Sequence, residues 1–82
     1  MKLIGFERND FTVRETGAKI TGYNVFLSRP VDASRGKGIV VERQYVSDNK
    51  LETAHIDLQS LINKDVRVLY NRWGKLETLT LE

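Results

Sequence analysis

The 82-residue chain contains no cysteine, one proline and one histidine. The absence of cysteine excludes disulfide bonds and zinc sites that are built on thiolates. A single histidine, His55, argues against a metal site or a histidine-based catalytic relay, so we interpret it as a partly buried structural residue. No apolar run approaches the length that crosses a bilayer. The sequence therefore favours neither a redox, a metal nor a membrane function.

Further absences narrow the class of protein. The N-terminal apolar run, Met1–Phe6, is too short and is followed too soon by charge to be a signal peptide. The segment Gly36–Gly38 lacks the glycine spacing and the following helix of a phosphate-binding loop. With 40% apolar and 29% charged residues, the composition is that of an ordinary globular domain. We expect one cytoplasmic domain over residues 1–82, without catalytic activity and without a metal or small-molecule cofactor.

The formal net charge is only +2, but its distribution along the chain is uneven. Residues 47–65 carry four acidic and two basic side chains, and the other 63 residues carry seven acidic and eleven basic ones. Excess positive charge outside the 47–65 segment suits a polyanion that lies on the strands. An ordinary scatter of solubilising charge explains the same numbers equally well.

The element pattern is three strand-like runs, one helical stretch and two more strand-like runs. We predict strands at Lys2–Glu15 (bent near Arg8–Asp10), Ile20–Leu27, Gly38–Val46, Val66–Tyr70 and Leu76–Leu81. This order is typical of a five-stranded OB-fold-like barrel, or a strongly bent antiparallel sheet, with a short helix between strands 3 and 4. The fold class is therefore mainly β, with some helix.

Local signals mark the ends of these elements. Gly17 and Gly74 lie in hairpin turns where a positive φ is needed, and Pro30 ends the second strand. The helical stretch has good capping residues at 47–49 and a second at Asp57, so one helix and two short helical turns are both consistent with it. From strand alternation and the helical stripe, we predict that the core contains Val13, Val25, Val41, Leu61, Val68 and Leu79.

The three phenylalanines, three tyrosines and one tryptophan exceed what a small core needs. Alternation with polar neighbours places Phe11 in the core. Trp73 lies in a tight hairpin and is the best candidate for an exposed ring, and a ring that folds back over the barrel mouth or into a dimer interface is the equally weighted alternative. Tyr45 shares a strand face with Arg43, two residues earlier. Phe26 faces away from the apolar side of its strand, so it is either a ring of the binding platform or a residue under the helix. Tyr23 and Tyr70 lie on the inner faces of their strands, where rings more often belong to the core.

The remaining candidate residues are cations in and around the turns. The glycine-containing loop carries Arg29, Arg35 and Lys37, and a mobile basic loop of this kind can close over a phosphate backbone. Arg14 and Lys19 flank the first hairpin. A solvated loop that contacts nothing is the alternative interpretation.

The chain resembles the small single-stranded-DNA-binding proteins of filamentous phages. The resemblance is carried by Phe11–Arg14 with the Gly17 turn, by Gly22–Tyr23 and by the basic loop at 29–38. It implies an OB-fold-like dimer that binds single strands cooperatively, with stacking rings at Tyr23 or Phe26, a basic wing at Arg35 and Lys37, and a cation at Arg14. The more helical segment after the third strand and the tryptophan in the last hairpin depart from that family.

The ending Val66–Lys75 is also similar to small uncharacterised proteins of phages and conjugative elements of Gram-positive bacteria. We therefore expect a non-catalytic protein that binds single-stranded nucleic acid, DNA by the resemblance, through stacking and phosphate neutralisation. The alternative is a protein-interaction or assembly module of a phage or mobile element, and a homodimer is compatible with both. The candidate nucleic-acid-binding residues are Arg14, Lys19, Tyr23, Phe26, Arg29, Arg35, Lys37, Arg43, Tyr45, Arg72 and Trp73.

Overall fold

Seven antiparallel strands and two short helices make up the computed structural model, which describes all 82 residues. The elements are β1 (Lys2–Arg8), β2 (Phe11–Thr12), β3 (Lys19–Ile20), β4 (Gly22–Pro30), β5 (Ile39–Ser47), α1 (Asp48–Thr53), α2 (Leu58–Leu61), β6 (Val66–Tyr70) and β7 (Leu76–Leu81). The strands form three sheets, ordered β1-β4-β5, β2-β3 and β6-β7, and no sheet closes into a barrel. The expectation of a mainly β, antiparallel protein is confirmed, whereas the closed five-stranded barrel is not found.

The first two predicted strands form one long hairpin that is interrupted at its middle. Arg8 pairs with Tyr23 and, three residues further along each strand, Phe11 pairs with Ile20, so the register is unchanged across the gap. The interruption falls at residues 9–10, where polar residues were expected to bend the strand. Gly17, with φ 71°, closes the hairpin tip as predicted.

β5 is the edge strand of the three-stranded sheet. It pairs with β4 from Gly22 opposite Ser47 to Pro30 opposite Ile39. No other backbone hydrogen bond joins Ile39–Ser47 to another element. The second edge of β5 is therefore free of strand partners.

Two separate helical turns follow β5. The Ser47 hydroxyl accepts from the Lys50 amide at 3.3 Å, and the Asp57 carboxylate accepts from the Gln59 amide at 3.2 Å, so each turn has its own cap. Between them His55 has φ 55°, which breaks the helix. Our interpretation of His55 as partly buried is wrong, because this break projects it into solvent. No helix is long and apolar enough to cross a membrane.

The β6–β7 hairpin is attached to the beginning of β1. The Leu3 amide donates to the Lys64 carbonyl at 3.2 Å, the Asn63 amide donates to the Leu3 carbonyl at 2.7 Å, and the Val66 amide donates to the Met1 carbonyl at 2.7 Å. These bonds hold the hairpin across the inner face of the three-stranded sheet, where the core forms.

Eight buried apolar side chains make up that core, contributed by the sheet, the hairpin and α2. They are Leu3, Val25, Leu27, Val46, Leu58, Val66, Leu76 and Leu79. Burying each such side chain stabilises the fold by about 1.5–3 kcal/mol.

The outcome for the predicted core is mixed. Val25 and Leu79 belong to it, and Leu61 and Val68 pack against it. Val41 is 54% exposed, so its assignment to the core is wrong. In β5 the even-numbered residues are the less exposed, and Val41 lies on the opposite, outer face. Val13 is half-buried near the hairpin tip and lies outside the core cluster.

Candidate functional site

A groove of about 580 Å³ runs along the second half of the β5 edge. We call it the outer groove. Its lining residues are Asn9, Phe11, Asn24, Arg43, Gln44, Tyr45, Ser47, Lys50, Lys75 and Leu76. Three of these are cations, two are aromatic, three carry side-chain amides and none is acidic. The lining therefore provides donors and rings for an anionic, planar ligand.

Tyr45 is the best-fixed ring of the groove. Its hydroxyl donates to the Asn9 carbonyl at 3.1 Å, and the ring of Phe11 lies edge-on at 5.6 Å between centroids. The hydroxyl end of the ring lies over Gly22, where only a hydrogen side chain leaves room. Burial, followed by the nearby negative charges of Asp10 and Asp48, raises the pKa of Tyr45. Tyr45 is therefore a neutral, rigid ring on the outer face.

An ion-pair cluster fixes the chain bend beside this ring. The Arg8 guanidinium donates to both carboxylate oxygens of Asp48, at 2.9 and 2.8 Å, and its Nε lies 2.9 Å from Asp10. Its charge also lies 5.0 Å from the centre of the Tyr23 ring. Hydrogen bonds from Arg8, and then from Thr21, lower the pKa of Asp48. The cluster thus joins β1, the bend and α1.

The three groove cations differ in how far they are already paired. Lys50 donates to the Leu76 carbonyl at 3.0 Å and contacts the Glu77 carboxylate at 3.4 Å, so its charge is partly used within the protein. Arg43 and Lys75 take part in none of the ion pairs of the structure. These two side chains are therefore free to meet a phosphate.

Two of the residues predicted from the sequence, Arg43 and Tyr45, line the groove, and a third lies beside it. Phe26 is half-buried on the outer face and is the register partner of Arg43. Tyr23 lies instead on the core side of the sheet, edge-on to Phe6 at 5.5 Å. The structure therefore separates Tyr23 from the groove.

Trp73 is the exposed ring that the sequence predicts. It is 69% exposed, and the guanidinium of Arg72 stacks on it at 4.5 Å from the ring centre. The Asn71 side chain fixes this turn by accepting from the amides of Trp73 and Lys75. Because Lys75 lines the groove, the Trp73 turn lies at the groove's border.

The predicted basic loop lies at the other end of β5. Arg35 and Lys37 are exposed on a tight turn in which the Asp32 carbonyl accepts from the amides of residues 35 and 36. Tyr45 lies six positions after Ile39 along the strand, which corresponds to about 20 Å. Arg29, at the end of β4, lies 4.0 Å from Glu42.

Arg14 and Lys19 are exposed at the first hairpin, beyond the bend. The candidate cations are thus spread along the whole length of the sheet rather than gathered in one cluster, and the groove lies between them.

Sequence reasoning missed several groove residues. Phe11 was expected in the core, but it is 43% exposed in the groove because β2 lies past the bend, where no core is left to cover it. Lys50 and Lys75 come from a helix and a turn that only the tertiary fold brings together. The position of Lys75, two residues after Trp73 in the same turn, was the one sequence signal that could have identified Lys75 as a groove residue.

Tyr70 also differs from expectation. It was placed on the inner face as a core ring, but it is 42% exposed and its hydroxyl donates to Glu42 at 2.6 Å. Partial burial, together with that carboxylate, raises the pKa of Tyr70 to about 12. Its ring therefore links the β6–β7 hairpin to β5 rather than filling the core.

Comparisons with known proteins found no relative of this chain. No family model, no curated protein and no solved structure matches it. No group of three or more acidic or histidine side chains is placed to hold a metal ion. The interpretation of the groove therefore rests on its own chemistry.

Proposed function

We propose that the protein binds single-stranded DNA in the outer groove, without catalysing a reaction on it. The observation that carries this proposal is the composition of the groove: three cations and two aromatic rings, without a carboxylate. Single-strand binders need this combination, because cations neutralise phosphates while rings stack on bases of any sequence. Following the resemblance, we propose that the protein acts in the cytoplasm of a cell that carries a phage or conjugative element.

In this proposal the two unpaired cations meet the backbone. Arg43 and Lys75 each neutralise one phosphate, and each contact contributes a salt-dependent gain in affinity. A base stacks against the ring pair Tyr45–Phe11, where stacking is worth about 1–3 kcal/mol per base. Because Tyr45 is held by Asn9 and Gly22, little side-chain entropy is lost on binding.

The other predicted residues extend this site along the outer surface. Arg29, Arg35 and Lys37 would hold the strand at one end of β5, and Arg14 and Lys19 at the other. Phe26, Arg72 and Trp73 would supply further contacts at the groove's margins. Tyr23 has a supporting role only, because its ring lies on the core side.

We further propose that the architecture is an open OB-like barrel. Its support is the order of the long strands around the two helical turns, the bridge between Lys2 and Asp65, and the contact between β5 and β7. In such folds, single strands lie across the exposed strand face.

The test measures binding of a fluorescent single-stranded oligonucleotide by anisotropy at several salt concentrations. Wild-type protein should bind DNA in about 50 mM salt at micromolar concentration, with affinity that falls as salt rises. The double variant Arg43→Ala/Lys75→Ala should weaken binding and lower the salt slope by about two. The matched control, Lys64→Ala/Arg67→Ala, removes two exposed cations away from the groove and should bind like wild type. Equal losses in both variants, or no binding by wild type, would reject the proposal.

A second candidate function is supported by a different surface. Ile4, Ile39 and Val41 are 41%, 72% and 54% exposed, and they line a second groove that crosses the sheet from β1 to the edge strand β5. Two of these residues, Ile39 and Val41, belong to the strand whose second edge is unpaired, and exposed apolar side chains on such a strand favour contact with another protein or a second copy of this chain. Sedimentation of wild type and of Val41→Lys tests this: assembly in the wild type that the variant lacks would support it.

A further inference from the structure

The free edge of β5 carries a row of backbone groups that have no partner. At the two ends of the β4–β5 ladder, the Val31 amide donates to the Gly38 carbonyl and the Asp48 amide donates to the Thr21 carbonyl, both at 3.0 Å. Hydrogen-bonded pairs alternate along an antiparallel ladder, so these two bonds show that the even-numbered residues of β5 bond to β4. The amides and carbonyls of the odd-numbered residues therefore point away from β4, towards the free edge.

The first half of this edge lacks the features that keep a strand from pairing with another chain. Such edges are usually shielded by proline, by charge or by a bulge. The segment Ile39–Val41 contains neither proline nor charge, and its ladder with β4 has no bulge. The second half of the edge borders the outer groove, which Leu76 and two lysines of other elements also line. The segment Ile39–Arg43 is therefore the part of the edge that is open to a new strand.

A second copy of β5 completes this edge without opposing like charges. In a two-fold pair of antiparallel strands, one residue lies opposite its own copy, and the residues on either side of it lie opposite each other. With Val41 at the axis, Ile39 lies opposite Arg43, and Val40 lies opposite Glu42. The odd-numbered pairs then exchange the amide and carbonyl bonds that β5 leaves unmade.

Neighbouring registers are less favourable. An axis at Glu42 or at Arg43 places that charged residue opposite its own copy, and like charges directly opposite each other destabilise a strand pair. An axis at Val40 leaves only Ile39–Val41 to pair, because Gly38, with φ 106°, ends the strand. The charge pattern and length of β5 therefore select the register centred on Val41.

This pairing also brings the basic loop of one copy to the outer groove of the other. Within one chain, the loop and the Tyr45 ring lie at opposite ends of β5. Lys37 lies four positions before Val41 and Tyr45 lies four positions after it, so the axis places Lys37 of one copy level with Tyr45 of the other. A two-fold axis perpendicular to the sheet keeps both outer faces on one side. Each groove therefore lies beside the other copy's loop.

We propose that the protein forms a symmetric dimer through antiparallel pairing of β5 about Val41, and that each DNA site combines the outer groove of one copy with the basic loop of the other. The second part rests on the proposed binding of single-stranded DNA. Because only Ile39–Arg43 pairs, the interface is small, and the free dimer should dissociate at micromolar concentration. DNA neutralises the cations that the dimer brings together, so it should strengthen the dimer.

Disulfide trapping tests the register, because the chain has no cysteine of its own. In the proposed dimer, the two Cα atoms of Val41→Cys lie about 5.5 Å apart, within disulfide range, whereas those of Ile39→Cys lie about 14 Å apart. Mild oxidation should therefore cross-link Val41→Cys and not Ile39→Cys, although position 39 is the more exposed. Equal or faster cross-linking of Ile39→Cys, or none of Val41→Cys, would overturn the register.

Sedimentation tests the dimer without a cross-link. Wild type should form a dimer as its concentration rises, and Ile4→Lys, which changes an exposed residue of β1, should do the same. Val41→Lys should stay monomeric, because it opposes two like charges at the axis. A wild type that stays monomeric at every concentration, with and without DNA, would overturn the dimer and leave the edge to a different protein.

Fluorescence anisotropy with a short strand that fills one groove tests the shared site. At a concentration where reduced Val41→Cys is monomeric, the cross-linked dimer should bind several-fold tighter, with a salt slope steeper by about two. Adding Arg35→Ala/Lys37→Ala should remove this gain, whereas adding Lys64→Ala/Arg67→Ala, two exposed cations away from the groove, should keep it.

The possible failures are distinguishable. A cross-linked dimer that binds DNA no tighter than the monomer, or a gain that survives in Arg35→Ala/Lys37→Ala, would overturn the shared site and leave the dimer intact. Cross-linking of Val41→Cys without any DNA binding would support the dimer and overturn the proposed function. DNA binding by a protein that neither cross-links nor dimerises would keep the proposed function and overturn this inference.

Discussion

Gly22→Ala tests the close packing between β4, β5 and the Tyr45 ring. Gly22 is buried, and a Cβ atom at this position would lie 2.4 Å from the Val46 carbonyl oxygen and 2.6 Å from the Tyr45 hydroxyl. The tyrosine could swing away, but the carbonyl belongs to the adjacent strand, so the β4–β5 ladder must shift. The single added Cβ atom therefore disturbs both the sheet and the groove.

The expected loss can be worked from its parts. Overpacking of this kind costs about 1–3 kcal/mol. Loss of the hydrogen bond from Tyr45 to Asn9 adds about 0.5–1.5 kcal/mol, and reduced freedom of the unfolded chain offsets about 0.4–1 kcal/mol. We expect a net loss of about 2 kcal/mol, which is a large share of the roughly 4–12 kcal/mol typical of a chain this size.

The assay is urea unfolding followed by far-ultraviolet circular dichroism. Trp73 fluorescence is unsuitable because that ring is already 69% exposed in the folded protein. Gly5→Ala is the matched control: its Cβ would meet only a Phe26 ring atom at 3.8 Å, an ordinary contact, so the variant should stay within about 0.5 kcal/mol of wild type. Equal stability of Gly22→Ala and wild type would refute the described packing.

Three other predictions concern the core and two ionisable side chains. Leu27→Ala should cost about 2–5 kcal/mol, because Leu27 is fully buried, whereas Val41→Ala should cost less than about 0.5 kcal/mol; similar losses in urea unfolding would contradict the faces assigned to the sheet. Hydrogen bonds from Arg8 hold the pKa of Asp48 below 3.8, so their stabilisation is complete above pH 3.8 and disappears as the pH falls through the folded-state pKa. The free energy of unfolding should therefore fall less steeply with decreasing pH in Asp48→Asn than in wild type. The same pH dependence in both proteins would argue against a stabilising Arg8–Asp48 ion pair. Burial and Glu42 raise the pKa of Tyr70 from 10.0 to about 12 in the folded protein. The neutral Tyr70 hydroxyl therefore stabilises the fold fully below pH 10, and this stabilisation is lost as the pH rises towards 12. An alkaline absorbance titration should lose a late-ionising component in Tyr70→Phe, and retention of every late component would exclude Tyr70 as its source.

The sequence was most informative where local chemistry determines structure. The bounds of β6 and β7 agree with the prediction, because alternation on both sides of a turn with Gly74 defines a hairpin without help from the rest of the fold. The caps at Ser47 and Asp57 were likewise visible as residue types. Turn glycines and helix caps act on neighbouring residues only, so their effects can be predicted without knowledge of the tertiary fold.

The sequence was least informative where exposure depends on distant elements. Val40 and Val41 are both apolar, so the sequence does not show which of the two faces the core. In the structure Val41 lies on the outer face of the sheet and is 54% exposed. Phe11 alternates like a core residue, yet its strand lies past the end of the core. The groove needs Lys50 and Lys75, which lie 25 positions apart in the chain and meet only through the packing of α1 on β7.

Nuclear magnetic resonance mapping shows residue by residue whether single-stranded DNA binds in the outer groove. Backbone amide shifts of the labelled protein would be followed while single-stranded DNA is added at about 50 mM salt. We expect the largest shifts at the outer groove, in Phe11, Asn24, Arg43–Ser47 and Lys75, and we expect them to shrink as salt is raised. Shifts confined to the apolar surface at Ile4, Ile39 and Val41, or no shifts at all, would contradict binding in the outer groove.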